Sequence, residues 1–178
     1  RAEILLEGWI HPGETAPERM RPGAIYNSNR FTLRGLIEAL GCECNDLGIV
    51  PDRLDATREA LRRAAQGNDL IVTSGGVSVG EEDHLRPAVQ AEGRVDYWQM
   101  AIKPGKPLAF GEVRRTDGSH AWFMGLPGNP VSSFITFLLV VRPALMALQG
   151  ALAGAPRALK LRADPDGTVD QLTLHPAR

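Results

Sequence analysis

Asp69-Leu70-Ile71-Val72-Thr73-Ser74-Gly75-Gly76-Val77-Ser78-Val79-Gly80-Glu81-Glu82-Asp83 is the stretch on which the fold turns. Asp69 to Thr73 is a compact β-rich run, entered through Gly67 and Asn68 and left through Ser74, Gly75 and Gly76. That composition is expected of a central strand, covered on both faces and leading into a glycine loop. The spacing then predicts a helix from about Glu81 to Ala91, ending at Gly93. A strand-to-helix loop of this kind presents backbone N–H groups at a helix N-terminus, where unsatisfied donors and partial positive charge favour phosphate or another oxyanion. Gly75 and Gly76 let the backbone approach such a ligand closely.

The alternation of strand and helix continues on both sides. Ala24 to Gly41 carries Leu33, Leu36, Ile37 and Leu40 at helical spacing, with Asn27 or Ser28 as N-cap and Gly41 as the stop. Leu47 to Val50, ended by Pro51, has strand composition, and Leu54 to Ala65 sets Leu54, Leu61, Ala64 and Ala65 on one helical side. Val95 to Ile102 is a further strand, and Leu108 to Val113 pairs with Ala121 to Met124 through a turn at Asp117 and Gly118. Leu126 to Val131 is a loop of Pro, Gly and Asn before a strongly apolar helix from Ser132 to Leu148, expected to be largely buried and stopped by Gly150. The first ten residues, with Ile4, Leu5, Leu6 and Ile10, offer a weaker first strand. Together these elements predict a three-layer α/β domain over residues 1–150, with a mostly parallel sheet and ligands at the C-terminal strand ends. Beyond it, Ala158 to Leu161 and Val169 to Leu174 flank a turn at Asp166 and Gly167, a short C-terminal β hairpin too small to hold a core.

Composition narrows the classes. A chain of 178 residues with 43% hydrophobic and 23% charged residues is an ordinary globular domain. Twenty Lys and Arg against twenty-one Asp and Glu leave a net charge of −1, without the general basic field of a nucleic-acid binder, so no nucleic-acid partner is expected. The longest apolar run, Phe134 to Val141, falls short of the roughly 20 residues a membrane span needs, and no membrane partner is expected. Cys42 and Cys44, one residue apart, suit neither an unstrained bridge nor a zinc site and are expected to be buried or half-buried thiols in a reducing compartment. No charged-then-apolar leader precedes the pattern, and Arg1 in place of a methionine suggests a fragment of a longer protein.

The glycine loop admits three chemistries. Gly75 and Gly80 have the spacing of a nucleotide P-loop, but Glu81 and Glu82 stand where Lys and Ser or Thr are needed. Gly76-Val77-Ser78-Val79-Gly80 fits a nucleophile elbow, yet His84, His120 and His175 are badly placed to serve Ser78. The third takes the carboxylates as the point of the loop, with Glu81 and Asp83 holding Mg2+ alongside ligand oxyanions. Two further loops converge on the same sheet edge. Lys103-Pro104-Gly105-Lys106-Pro107 is a cationic pair on a loop stiffened by prolines, and Leu126-Pro127-Gly128-Asn129-Pro130-Val131-Ser132 is another strand-to-helix junction. One acidic and one dibasic loop beside a donor-rich one suit an anionic substrate bound with a divalent cation.

Taken with Ile25-Tyr26-Asn27-Ser28-Asn29 and with Gly125 ahead of Leu126, these motifs resemble, in order and spacing, the molybdopterin molybdotransferase family, which includes the gephyrin E domain. The resemblance covers about residues 12–150. It implies a molybdopterin-binding α/β fold, insertion of molybdate into the dithiolene of adenylylated molybdopterin, Mg2+-dependent release of AMP, a cytoplasmic setting and a homodimer. On matching positions, Asp83 with Glu81 would hold the metal, and Gly75, Gly76 and Ser78 would cradle ligand. Lys103 and Lys106 would neutralise molybdate or phosphate, giving catalytic roles to Asp83, Lys103 and Lys106. Asn27, Ser28 and Asn29 would line the cleft, and Gly128, Asn129, Pro130 and Ser132 would contact the pterin or phosphate portion.

The sequence departs from the family in two places. Ile4-Leu5-Leu6-Glu7-Gly8-Trp9 stands where relatives carry a Ser-Thr-Gly-Asp-Glu-Leu strand end, so a carboxylate linked to the metal is missing unless Glu7 takes its place. Asn27 stands where many relatives have Asp. The resemblance also makes residues 151–178 the stub of a C-terminal β domain, and leaves two alternatives in view: a non-catalytic molybdopterin-binding or scaffolding module, and a molybdopterin adenylyltransferase.

Overall fold

A computed structural model of the protein describes residues 2–7, 28–51, 53–75, 84–99 and 107–151. Its elements are β1 (Ala2–Glu7), α1 (Ser28–Ala39), β2 (Cys44–Val50), α2 (Leu54–Ala65), β3 (Leu70–Ser74), α3 (Leu85–Glu92), β4 (Gly93–Gln99), β5 (Pro107–Arg114), β6 (His120–Leu126), α4 (Pro130–Thr136) and α5 (Arg142–Leu148). The six strands form one sheet in the order β2-β1-β3-β6-β5-β4. β2, β1, β3 and β6 are mutually parallel, while β5 runs antiparallel to both β6 and β4, so β5 alone is reversed.

Every residue of β3 is buried, the apolar Leu70, Ile71 and Val72 as the middle of the sheet requires and Thr73 and Ser74 with them. Its side chains alternate between two cores. Leu70 and Val72 pack with Leu33 and Ile37 of α1 and with Phe137, Val141 and Leu145, whereas Ile71 packs with Leu61 and Ala64 of α2 and with Leu85 and Val89 of α3. Helices therefore cover both faces, giving the three layers expected. The hairpin β5–β6 closes as read from Asp117 and Gly118, with Asp117 accepting from the Ser119 N–H at 2.9 Å. Gly93 and Gly111 let β4 and β5 approach closely, since a Cβ at either would run into the partner strand's backbone, at Glu112 and Arg94 respectively.

Several boundaries move. α3 begins at Leu85 rather than Glu81, and it ends at Gly93 as expected, which caps the helix and also opens β4 with an extended φ of −175°. β4 is described only to Gln99, so Met100 to Ile102 of the expected strand lie outside the described residues. β2 starts three residues early at Cys44, because the polar Asn45 and Asp46 hid a strand that pairs with β1. The expected C-terminal hairpin at 158–174 lies outside the described residues.

The long apolar helix differs most. It begins at Pro130 and is interrupted by a π-helical turn, Phe137–Val141, just before Pro143. Proline lacks an N–H and its ring crowds the preceding turn, and a wider turn accommodates both. Nor is the helix largely buried, for Val131, Phe134, Leu138, Leu139 and Leu148 are exposed. Pro130–Leu148 is 19 residues long with a mean hydropathy of 1.9, long and apolar enough by length and composition to cross a membrane. The shorter run Phe134 to Val141 understated it. Phe137, Val141 and Leu145 nevertheless pack in the core, and a core helix passes the same compositional test.

Candidate functional site

The chain passes from β1 outward to β2 and then crosses back to β3 on the other side of β1, so the strand order reverses between β1 and β3, a topological switch point whose C-terminal side is the expected ligand crevice. Leu6 pairs with Ser74 and Ser74 with Leu126, bringing the ends of β1, β3 and β6 level on one edge. Gln99 pairs with Pro107, and Ala109 with Gly125, so the strands that bound residues 100–106 end on that edge too. The glycine loop, the dibasic segment and the Pro127–Pro130 turn are thus rooted side by side.

Two of these loops touch. Gly75 has φ +95°, a left-handed conformation that favours glycine, and its N–H donates to Leu126 O at 2.9 Å. A Cβ added to Gly128 would lie 3.7 Å from Gly75 Cα, so the two loops pass close to one another there. Asn129 caps α4, its Oδ1 accepting from Ser132 N at 3.0 Å and Ser132 Oγ at 3.2 Å, and Pro130 follows at a helix start, where a missing N–H costs nothing. Gly128, Asn129 and Pro130 are exposed, whereas Ser132 is buried. Ser28 is exposed at the first turn of α1, and Asn29 is buried against the two loops. Its Nδ2 donates to Ser74 Oγ at 2.7 Å and to Gly128 O at 2.8 Å.

Of the residues singled out in the sequence, Ser28, Asn29, Gly75, Gly128, Asn129, Pro130 and Ser132 are thereby placed on this edge. Asn27, Gly76, Ser78, Glu81, Asp83, Lys103 and Lys106 lie outside the described residues. Sequence reasoning missed Ser74 and Ser133 as site residues. Their signal was available in the strand period, which turns Ser74 toward the layer of α1 and α4, and in the paired serines that open α4. It also missed Thr73, whose Oγ1 is buried with no hydrogen-bond partner among the described residues, on the opposite face of β3. Among the described residues no group of three or more His, Cys, Asp or Glu has the arrangement to hold a metal. Cys42 and Cys44 are partly exposed thiols not joined in a disulfide, and Cys42 Sγ lies 3.1 Å from Gln149 Nε2.

The fold and this edge define a three-layer α/β domain built to take a ligand at a switch point. The chain belongs to the family described as "Probable molybdopterin binding domain", which matches residues 5–147. It is 47% identical over 149 residues to the molybdopterin molybdenumtransferase of Haemophilus influenzae, covering 82% of this chain and 36% of that protein. It is 34% identical to gephyrin of Dictyostelium discoideum over 77% of this chain and 22% of gephyrin. Among solved structures, the molybdopterin biosynthesis MoeA protein of Pyrococcus horikosii superposes with a TM-score of 0.66 at 30% identity, covering 84% of this chain and 35% of that one. The chain spans about a third or less of the length of these relatives.

Proposed function

We propose that this chain is the molybdopterin-binding domain of a molybdopterin molybdotransferase, acting in molybdenum cofactor biosynthesis. The reaction is insertion of molybdate into adenylylated molybdopterin with release of AMP, in the cytoplasm, by a homodimer. The observation that carries this reading is that the strand ends from which three family motifs leave lie on one sheet edge at the switch point, with Gly75 and Gly128 close together. The 47% identity to a protein named for the activity supports it.

In this reading the glycine loop and the Pro127–Pro130 turn form the cleft, and their backbone N–H groups receive phosphate oxygens. Asn129 offers Nδ2 to the ligand while its Oδ1 holds the cap. Lys103 and Lys106 screen the charge of molybdate against phosphate, which in a partly dry site is worth far more than in water. β5 stands two strands from β3, about 10 Å away. The strand β5 that follows the lysine segment thus lies at a distance from Gly75 suited to the far end of an elongated ligand.

Among the described residues, the side chains that hydrogen-bond around Ser74 and Pro127 are neutral amides and hydroxyls, so a cation there needs carboxylates from elsewhere. Asp83 with Glu81 would hold Mg2+, which supplies charge screening when bound. Calorimetric titration with adenylylated molybdopterin tests the lysine assignment: Lys103→Ala and Lys106→Ala are each expected to weaken binding about tenfold, and more steeply at low salt. Binding unchanged in both variants would contradict it.

A further inference from the structure

Three buried polar side chains between the loops form one continuous hydrogen-bond chain. Asn29, second residue of α1 and 7% exposed, uses both hydrogens of Nδ2, one on Ser74 Oγ at 2.7 Å and one on Gly128 O at 2.8 Å. Ser133 Oγ reaches Pro127 O at 2.9 Å, and Ser74 Oγ lies 3.3 Å from Ser133 Oγ. Ser133 gives its single hydrogen to the carbonyl, and the Ser74 hydroxyl, which accepts from Asn29, has both Ser133 Oγ and Pro127 O, the latter at 3.4 Å, within reach of its own hydrogen. The connected groups run from Asn29 through Ser74 and Ser133 to Pro127 O, and each bond polarises the next. Ser74 and Ser133 are almost wholly buried. The chain ties the first turn of α1, the end of β3 and the start of α4 to the Pro127–Gly128 turn.

We propose that Asn29, Ser74 and Ser133 are positioning residues, a latch that fixes the separation between the glycine loop at Gly75 and the Pro127–Pro130 turn. The proposal rests on the functional reading above for the identity of the ligand. It alters the role expected of Asn29, whose donors serve the loops rather than the ligand. Cutting the latch leaves the ligand-facing backbone chemically intact but lets the two halves of the cleft move apart, so affinity falls without loss of any direct contact.

Two readouts on the full chain test this. Hydrogen exchange follows the Gly75 amide, which bonds Leu126 O, against the Val72 amide deeper in β3. Molybdopterin affinity is measured calorimetrically at a temperature where every variant is folded. The variants are Asn29→Ala, Ser74→Ala and Ser133→Ala, with Ser133→Thr keeping the hydroxyl. Val113→Ala is the control, a core truncation at the opposite edge of the sheet, where Val113 pairs with Ala121. Each latch variant is expected to speed exchange at Gly75 and to weaken molybdopterin about tenfold, with Val72 unchanged, Ser133→Thr near wild type, and Val113→Ala lowering Tm but not affinity. Latch variants that bind within about twofold of wild type, or a Val113→Ala loss as large as theirs, would overturn the proposal. If the unaltered chain binds no molybdopterin, the functional reading fails for this chain. Exchange at Gly75 then decides the latch alone, faster exchange upholding it and an unchanged rate overturning it.

Discussion

Asn129 has two functions that substitution separates. Its Oδ1 accepts from the N–H and hydroxyl of Ser132 and so caps α4, while Nδ2 makes no hydrogen bond among the described residues. Asn129→Ala removes the cap, for which about 1 kcal/mol of stability is expected. In a domain of this size that corresponds to a fall of roughly 2–4 °C in Tm. Asn129→Asp keeps an oxygen in the capping position and adds a negative charge at a helix N-terminus, so its stability should stay within about 0.5 kcal/mol of wild type. The same variant lacks the Nδ2 donor and repels an anion, so its affinity for a phosphorylated pterin should fall below that of the alanine variant. Urea denaturation gives the stabilities and calorimetry the affinities. Equal loss of stability in the two variants would refute the cap assignment. Unchanged affinity in Asn129→Asp would refute the ligand assignment.

Thr73→Val should raise stability by about 1 kcal/mol, because a buried hydroxyl without a partner costs about that much or more and valine fills nearly the same space. A comparable loss in urea denaturation would mean that the hydroxyl is bonded in solution. Asp117 accepts from the Ser119 N–H at 2.9 Å and the Ser119 hydroxyl at 2.6 Å, and these bonds favour its charged form, holding the carboxyl below the usual carboxylate range. The turn's contribution is therefore fully present above the unfolded carboxylate pKa of about 3.9 and is lost as pH falls through the lower folded value. Carboxyl carbon shifts in an NMR titration should show Asp117 titrating below a free aspartate, and Ser119→Ala should move it back up. An unshifted Asp117 would contradict the turn geometry.

The middle of the fold was plainly legible. Leu70 to Thr73 admits little except a strand buried on both faces, and Leu54 to Ala65 is a helix with the bounds its apolar side indicates. What escaped was set by tertiary contacts that no local pattern carries. Cys44 to Asp46 is too polar to read as a strand, yet Asp46 is held by Arg30 at 2.7 Å and by the Gly48 N–H at 2.9 Å, so its charge is met within the fold. The π-helical turn had a local signal in Pro143, masked by the unbroken hydropathy around it. At the site, exposed loop residues drew attention because glycine, proline and asparagine are conspicuous in a sequence. The buried serines that tie the loops together are ordinary residues until the strand ends are brought level. Ser74 and Ser133 stand 59 residues apart, and only the parallel pairing of β3 with β6 reveals their contact.

The central claim is that this domain binds an anionic pterin at the sheet edge with help from a cation on the glycine loop. The most direct test is calorimetric titration of the chain with adenylylated molybdopterin, with and without Mg2+, on wild type and Asp83→Ala. Binding that Mg2+ strengthens about tenfold or more in wild type, and fails to strengthen in Asp83→Ala, is the predicted result. Binding indifferent to both Mg2+ and Asp83 would contradict the metal assignment and leave a pterin-binding module in its place.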